Sequence, residues 1–251
     1  MNPARLQLPG LFVTGTNTDV GKTWVTAAIA RCISNEGLKV GVIKPAATGL
    51  TDLFSPNSDP MILLGMAGWP ITKEMLQLAC PITFEAAAAP TVAARNEGRR
   101  LEWAELYQAV QKSIEGWMDL KVDCILMEGV GGLHCPMAEG GKTVLSLIES
   151  LDWPVVVVGR RGLGTLSHTM GTVNALRQGP TRLAGVILNH VPGDNATGIP
   201  ESTAALELSS HIAPVALLHD GQSLSESPET LANDLKQIGW ASRIARPRWV
   251  D

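Results

Sequence analysis

Phe12-Val13-Thr14-Gly15-Thr16-Asn17-Thr18-Asp19-Val20-Gly21-Lys22-Thr23 is the stretch that decides the fold of this chain. The short apolar run from Leu11 to Thr14 reads as a strand. The segment from Thr23 to Asn35 carries Val25, Ala28, Ile29 and Cys32 on one face, the spacing of an amphipathic helix. Between them lies a loop with a glycine at each end. A loop that cradles phosphate needs backbone N–H groups turned inward, a lysine that reaches the terminal phosphates, and a hydroxyl for a cation. It also sets a helix N-terminus against the anion. Gly21-Lys22-Thr23 supplies these in the right strand–loop–helix context. The loop departs from the general pattern at one point: its first glycine is Gly15, and Thr16 stands where the pattern has glycine.

Working outward, Gly37 is a candidate helix C-terminal glycine. Val40 to Ile43 is a second apolar run, ended by Lys44-Pro45. Residues 50–100 are irregular and rich in proline and alanine, with at most short helices, and read as an insertion between strands. Leu101 to Met118 has the clearest helical periodicity, with Trp103, Leu106, Tyr107, Val110, Ile114 and Trp117 at three- and four-residue steps. Cys124 to Met127 reads as a strand followed by Glu128 and the glycine loop Gly129-Val130-Gly131-Gly132. Pro154 to Val158 is charge-free and β-branched, the pattern of a central strand buried on both faces. Leu183 to Leu188 and Pro214 to Leu218 read as two further strands. Strands alternating with helices imply an α/β fold with a mostly parallel sheet of about seven strands, covered by helices on both faces. In such sheets ligands bind beyond the carboxyl ends of the strands. The loops after Thr14, Ile43, Met127 and Val158 all fall there.

Composition agrees. The chain has 251 residues, a formal charge of −4 and 45% hydrophobic residues, which excludes wholesale disorder. A pI near 5.8 argues against a general nucleic-acid or anionic-membrane binder. Glycine, at 25 of 251 residues, exceeds the ~7% average, and its clustering suggests a backbone that touches something. The four cysteines, at 32, 80, 124 and 135, form no C-x-x-C pair and have no zinc spacing. No signal-like stretch opens the sequence, and no apolar run reaches the ~18 residues of a membrane span. A reduced, cytoplasmic protein is the expectation.

Several strand ends carry candidate site residues. Lys44 puts an ammonium at the same sheet edge as Lys22. Asp59 lies at a helix start, where it is either a cap or a ligand. Glu128 ends a strand, the usual place for a carboxylate that handles Mg²⁺. Leu163-Gly164-Thr165-Leu166-Ser167-His168 opens a helix after the central strand, a place for a carboxylate. Asn189 could read a nucleobase edge or cap a strand.

Taken together, Phe12 to Thr23, Lys44-Pro-Ala-Ala-Thr48-Gly49, Asn57-Ser58-Asp59, Glu128 to Gly132 and Leu163 to His168 resemble the ATP-dependent dethiobiotin synthetases of biotin biosynthesis, in order and spacing over about residues 11–190. The displaced glycine of the phosphate loop is that family's own form. The resemblance implies one P-loop synthetase domain over residues 1–251, with its core in 10–220 and a C-terminal segment, 221–251, of no assigned role. It implies Lys22, Lys44 and Thr48 as catalytic groups. Thr18, Asp19, Val20, Gly21, Lys22, Thr23, Glu128, Gly131, Asn189 and His190 would hold ATP. Thr23, Asp59 and Glu128 would hold Mg²⁺. Thr14, Lys44, Thr48 and Gly129 to Gly132 would line the diamine substrate, 7,8-diaminopelargonate. Leu163, Gly164, Thr165 and Ser167 would bind its carboxylate across a homodimer interface. Small molecules, not nucleic acid or membrane, would be the partners.

The sequence departs from the family at Ala89-Pro90-Thr91, where Ser-Pro-His is common, at Ser167-His168, commonly Asn-His, and at Ala216 to His219. Other readings remain open: a regulatory P-loop ATPase of the partition or metallochaperone kind, an amide-forming ligase acting on a larger acid, and a nucleotide-binding relative without synthetase activity. The early loop lysine usual in the partition type is missing at Thr16 and Asn17.

Overall fold

The structure is a computed structural model, and it describes residues 8–189, 207–212 and 215–217. Its element order is β1 (Gly10–Gly15), α1 (Lys22–Asn35), β2 (Val40–Ile43), α2 (Asp59–Met66), α3 (Lys73–Ala79), α4 (Pro90–Asn96), α5 (Trp103–Asp119), β3 (Cys124–Glu128), β4 (Pro136–Ala138), β5 (Lys142–Thr143), α6 (Val144–Leu151), β6 (Val155–Arg160), α7 (Thr165–Arg177), β7 (Leu183–Asn189) and β8 (Val215–Leu217). The main sheet runs β2-β3-β1-β6-β7-β8, with every pairing parallel. Seven strands were expected. Among the described residues six form this sheet: five of four to seven residues, and the three-residue β8.

Burial explains the strands. All six residues of β1 are buried, as are Val155 to Gly159 of β6. The Val155-Val-Val-Val158 run pairs with β1 on one side and β7 on the other, the central position its composition implies. The order places β1 between β3 and β6, so the chain leaves β1 toward β2 on one side and later fills β6 and β7 on the other. That reversal opens a crevice at the carboxyl end of β1. The loops after β1, β3 and β6 meet there: Thr16 N–H donates to the Val158 carbonyl and Gly129 N–H to the Val13 carbonyl, each at 2.9 Å.

The amphipathic helix α5 covers β2, an edge strand. Leu106, Val110, Ile114 and Trp117 are buried, while Trp103 and Tyr107 stack on each other at the rim with ring centroids 5.8 Å apart. Trp117 donates its indole N–H to the Val42 carbonyl at 3.1 Å, and Trp69 donates to the Val40 carbonyl at 2.7 Å. The two indoles lie 5.1 Å apart. They satisfy backbone acceptors of a strand that has no sheet partner on its outer side among the described residues.

The insertion 50–100 does contain only short helices, α2 to α4. The sequence reading passed over the β4–β5 hairpin and α6. The strands are joined by the three-residue loop Glu139-Gly140-Gly141, in which both glycines take positive φ, 73° and 72°. Thr143 and Ser146 form a reciprocal capping box that starts α6. No disulfide joins the cysteines among the described residues, and Cys80 and Cys124 are buried. No helix among the described residues is long and apolar enough to cross a membrane.

Candidate active site

The phosphate loop closes on itself. Val20 is fully buried and anchors the loop to the core. Gly21, at φ +85°, is the N-cap of α1, and no side chain caps that helix. The first turn of α1 is therefore open to an anion. Lys22 is buried and donates to the carbonyl of Asn17, five residues earlier in the same loop, at 2.9 Å. Burial, and then the nearby Lys44 ammonium, push its pKa down to about 8. An arriving polyphosphate would reverse both penalties. Thr18 and Asp19 are exposed on the loop's outer turn, with Asp19 at φ +56°.

Behind the loop lies a charge cluster drawn from two strand ends, those of β2 and β3, and from the first turns of α1 and α2. Lys44 Nζ reaches Glu128 Oε1 at 2.6 Å and Asp59 Oδ2 at 2.7 Å. Its third contact is the Gly129 carbonyl, at 3.3 Å. Thr23 Oγ1 lies 2.8 Å from both Asp59 Oδ1 and Glu128 Oε1. Glu128 is fully buried, and burial pushes its carboxyl above the usual range even with Lys44 beside it. Burial also disfavours the charge on Lys44, but Glu128 and Asp59 outweigh it and hold the ammonium protonated. For Asp59, burial is outweighed by Lys44, which keeps the carboxyl ionised below its usual range.

Asp59 is not the helix cap. Ser58 occupies the N-cap position, and Asp59, the first helical residue, turns inward to Lys44 and Thr23.

The donor set fits a hard divalent cation. One hydroxyl proton on Thr23 cannot serve two carboxylates at once. Glu128 Oε2 is buried without a partner among the described residues. All three candidate donors are oxygens, as Mg²⁺ prefers. Among the described residues no three His, Cys, Asp or Glu side chains gather at one point, so this pair of carboxylates with a hydroxyl is the cation-binding candidate.

The residues expected to line the substrate fall on several loops. Thr14 Oγ1, at the end of β1, is buried and has no partner among the described residues. Thr48 is half-buried in a loop laced to residues 79–86. Lys44 N–H donates to the Ala79 carbonyl at 2.7 Å, Ala47 N–H to Ile82 at 2.9 Å, Gly49 N–H to Ala86 and Leu50 N–H to Phe84, both at 3.0 Å. No feature of the sequence announced this strap. It fixes the backbone on which Lys44 and Thr48 stand.

The loop Gly129 to Gly132 was expected to let backbone approach a ligand. Its glycines accommodate the protein itself. A Cβ at Gly132 would lie 3.2 Å from the Thr16 carbonyl, and one at Gly129 would lie 3.0 Å from the Phe12 ring. The Val130 side chain belongs to the core. Gly131, at φ +60°, packs against Cys135.

Leu163, Gly164, Ser167 and His168 are exposed, while the Thr165 hydroxyl faces Thr169 of the same helix at 3.4 Å. Gly164 is the N-cap of α7, with no side-chain cap. Asn189 is buried, and its amide faces the phosphate loop, donating to the Val20 carbonyl at 3.1 Å. His190 and His219 lie outside the described residues, as does the C-terminal segment with Trp240, Arg243, Arg246, Arg248 and Trp249.

A family profile described as "AAA domain" matches residues 9–226. An ATP-dependent dethiobiotin synthetase of Anaeromyxobacter dehalogenans is 37% identical over 209 residues, covering 83% of this chain and 89% of that protein. Its counterpart in Bacillus licheniformis is 34% identical over 199 residues, 78% of each chain. Among solved structures, the septum site-determining protein MinD of Pyrococcus horikoshii, complexed with Mg-ADP, aligns at TM-score 0.52 and 17% identity, covering 97% of this chain and 100% of that one. That likeness concerns the fold alone. Identity above 30% across most of both chains carries the assignment: this chain belongs to the ATP-dependent dethiobiotin synthetase family.

Proposed function

We propose that this chain closes the ureido ring of dethiobiotin from 7,8-diaminopelargonate, CO₂ and ATP at the carboxyl edge of its sheet. The observation that carries the reading is the buried Lys44, joined to both Glu128 and Asp59 immediately behind a phosphate loop. It comes with family membership over most of the chain.

One amine of the substrate adds to CO₂, loses a proton and gives a carbamate anion. A carbamate oxygen attacks the γ-phosphorus of ATP, the bond to the β-phosphate oxygen breaks, and ADP leaves. The second amine attacks the carbonyl carbon of the resulting carbamic-phosphoric anhydride, loses a proton and expels phosphate as the ring closes. Every intermediate is anionic, and none needs a protein nucleophile. Lys22 neutralises the β- and γ-phosphates from inside the loop. Lys44 faces the carbamate and the transferring phosphoryl group. The open helix N-terminus of α1 supplies oriented N–H groups. Thr23, Asp59 and Glu128 would hold Mg²⁺, which would supply charge neutralisation on the phosphates. Thr14 and Thr48 offer hydroxyls toward the diamine. The test is direct: dethiobiotin, identified by mass spectrometry, should form one-to-one with ADP, and ADP without product would contradict the reading.

Two further expectations follow from this assignment. Asp59→Asn removes one charge from the cation site while keeping its shape. The Mg²⁺ concentration for half-maximal activity is expected to rise at least ~10-fold, measured by metal titration. An unchanged Mg²⁺ requirement would remove Asp59 from the site.

The chain also works as a homodimer in this reading. Leu163 is 91% exposed and Leu166 beside it is 40% exposed, at a helix start with no side-chain cap. Two apolar side chains presented at a binding loop suit cover by a second copy. Light scattering should give twice the 26.7 kDa chain mass. Leu163→Asp should shift the protein toward monomer and raise KM for the diamine more than for ATP. An active monomeric wild type would contradict the dimer.

A further inference from the structure

Asn189 stands at the end of β7, 169 residues from its partner Val20. Its side chain is buried, the residue being 6% exposed, and the amide nitrogen donates to the Val20 carbonyl at 3.1 Å. Its own backbone carbonyl accepts from Arg161 N–H at 3.1 Å, so the residue is pinned where β6 and β7 end together. Gly21 completes the contact. A Cβ at position 21 would lie 2.0 Å from Asn189 Nδ2, and φ there is +85°. Only glycine lets the amide sit against the loop backbone.

The Val20 carbonyl and the Gly21 N–H belong to one trans peptide unit and point in opposite directions. Holding the carbonyl toward Asn189 therefore holds the next N–H away from it. A freed carbonyl could rotate toward the phosphate side, where its lone pairs would repel the anion. Nothing about reading a nucleobase requires this bond. We propose that Asn189 is a positioning residue for the phosphate loop, latching the Val20–Gly21 peptide so that its N–H is presented to the polyphosphate. The inference rests on the phosphate-loop reading of residues 15–23 and adds a function for a residue outside that loop.

A ligand without a base separates a latch from a base reader. Binding of ATP and of inorganic tripolyphosphate is measured by calorimetry for the wild type, Asn189→Ala and Asn189→Ser. Melting temperature and circular dichroism establish that each variant is folded, and the serine variant carries the test if the alanine variant is not. The latch predicts that tripolyphosphate, which has no base, weakens about 3- to 10-fold, the scale of one buried hydrogen bond, and that ATP weakens at least as much. Weakening of ATP alone would make Asn189 a base reader and overturn the proposal. Unchanged affinity for both, with only a lower melting temperature, would make it purely structural and overturn it as well. A wild type that binds neither ligand would overturn the phosphate-loop reading, and the latch with it.

Discussion

Lys44→Ala is expected to lower kcat at least ~10²-fold, the scale of one lost electrostatic donor to a developing anion. Lys44 is buried, held protonated by Glu128 and Asp59, and placed by the backbone strap from Ala79 to Ala86. It cannot be replaced by a mobile surface cation. The substitution also leaves Glu128, fully buried, without its ammonium, and breaking a buried pair on one side costs roughly 3–5 kcal/mol. Activity and stability must therefore be read separately. The double variant Lys44→Met/Glu128→Gln removes the uncompensated charge, so its melting temperature should recover while its turnover should not. Lys22→Ala should lose turnover on the same scale and should also weaken nucleotide binding, because Lys22 is the cation inside the loop. A Lys44→Ala protein within ~5-fold of the wild-type kcat, with ordinary stability, would remove the lysine from the chemistry, against the ~10²-fold expected of a transition-state donor.

The second large effect concerns stability. Trp117→Ala should destabilise the protein by roughly 3–5 kcal/mol, the range for a large buried aromatic truncated in a core. Trp117 is fully buried and contacts Trp69. A Cβ at Gly41 would lie 2.8 Å from its ring, so strand and indole are already in close contact. The truncation empties that volume and also strips the Val42 carbonyl of its donor. For a chain of this size the loss corresponds to a fall in melting temperature of roughly 6–20 °C. Calorimetry checks it. A fall of less than ~2 °C would mean that the cover over β2 is loose, since a filled core site does not behave so.

How much of this could be read from residues alone depends on how local each signal is. The phosphate loop was legible because strand, glycines, lysine and hydroxyl are contiguous. The central strand was legible because four consecutive valines admit one environment. Lys44 and Glu128 were each legible as strand-end residues. Their salt bridge was not, since it joins positions 84 apart in sequence, and only the order β2-β3-β1 brings them together.

Asp59 shows where a local signal divides. An aspartate at a helix start satisfies capping rules and ligand rules alike, and the adjacent Ser58 took the capping position. The hairpin β4–β5 and α6 were missed although Gly140-Gly141 and the Thr143–Ser146 box are recognisable turn and cap chemistry. Short strands give little periodicity to reinforce such signals. The glycines at 129 and 132 were read as letting backbone approach a ligand; the protein atoms closest to them are those of Phe12 and of the phosphate loop, which no local pattern announces. Asn189 was read toward a nucleobase; its amide nitrogen also donates to the Val20 carbonyl, a contact between positions 169 apart that no local pattern announces.

The central claim is that the phosphate loop and the Lys44 cluster serve a ligase, not a nucleotide switch. ADP release by the purified wild-type protein, followed with and without 7,8-diaminopelargonate plus bicarbonate, tests it most directly. Release should depend strictly on the diamine and should fall to background when the diamine is omitted. ADP release at the same rate without the diamine would contradict the claim and assign the chain to the regulatory P-loop ATPases.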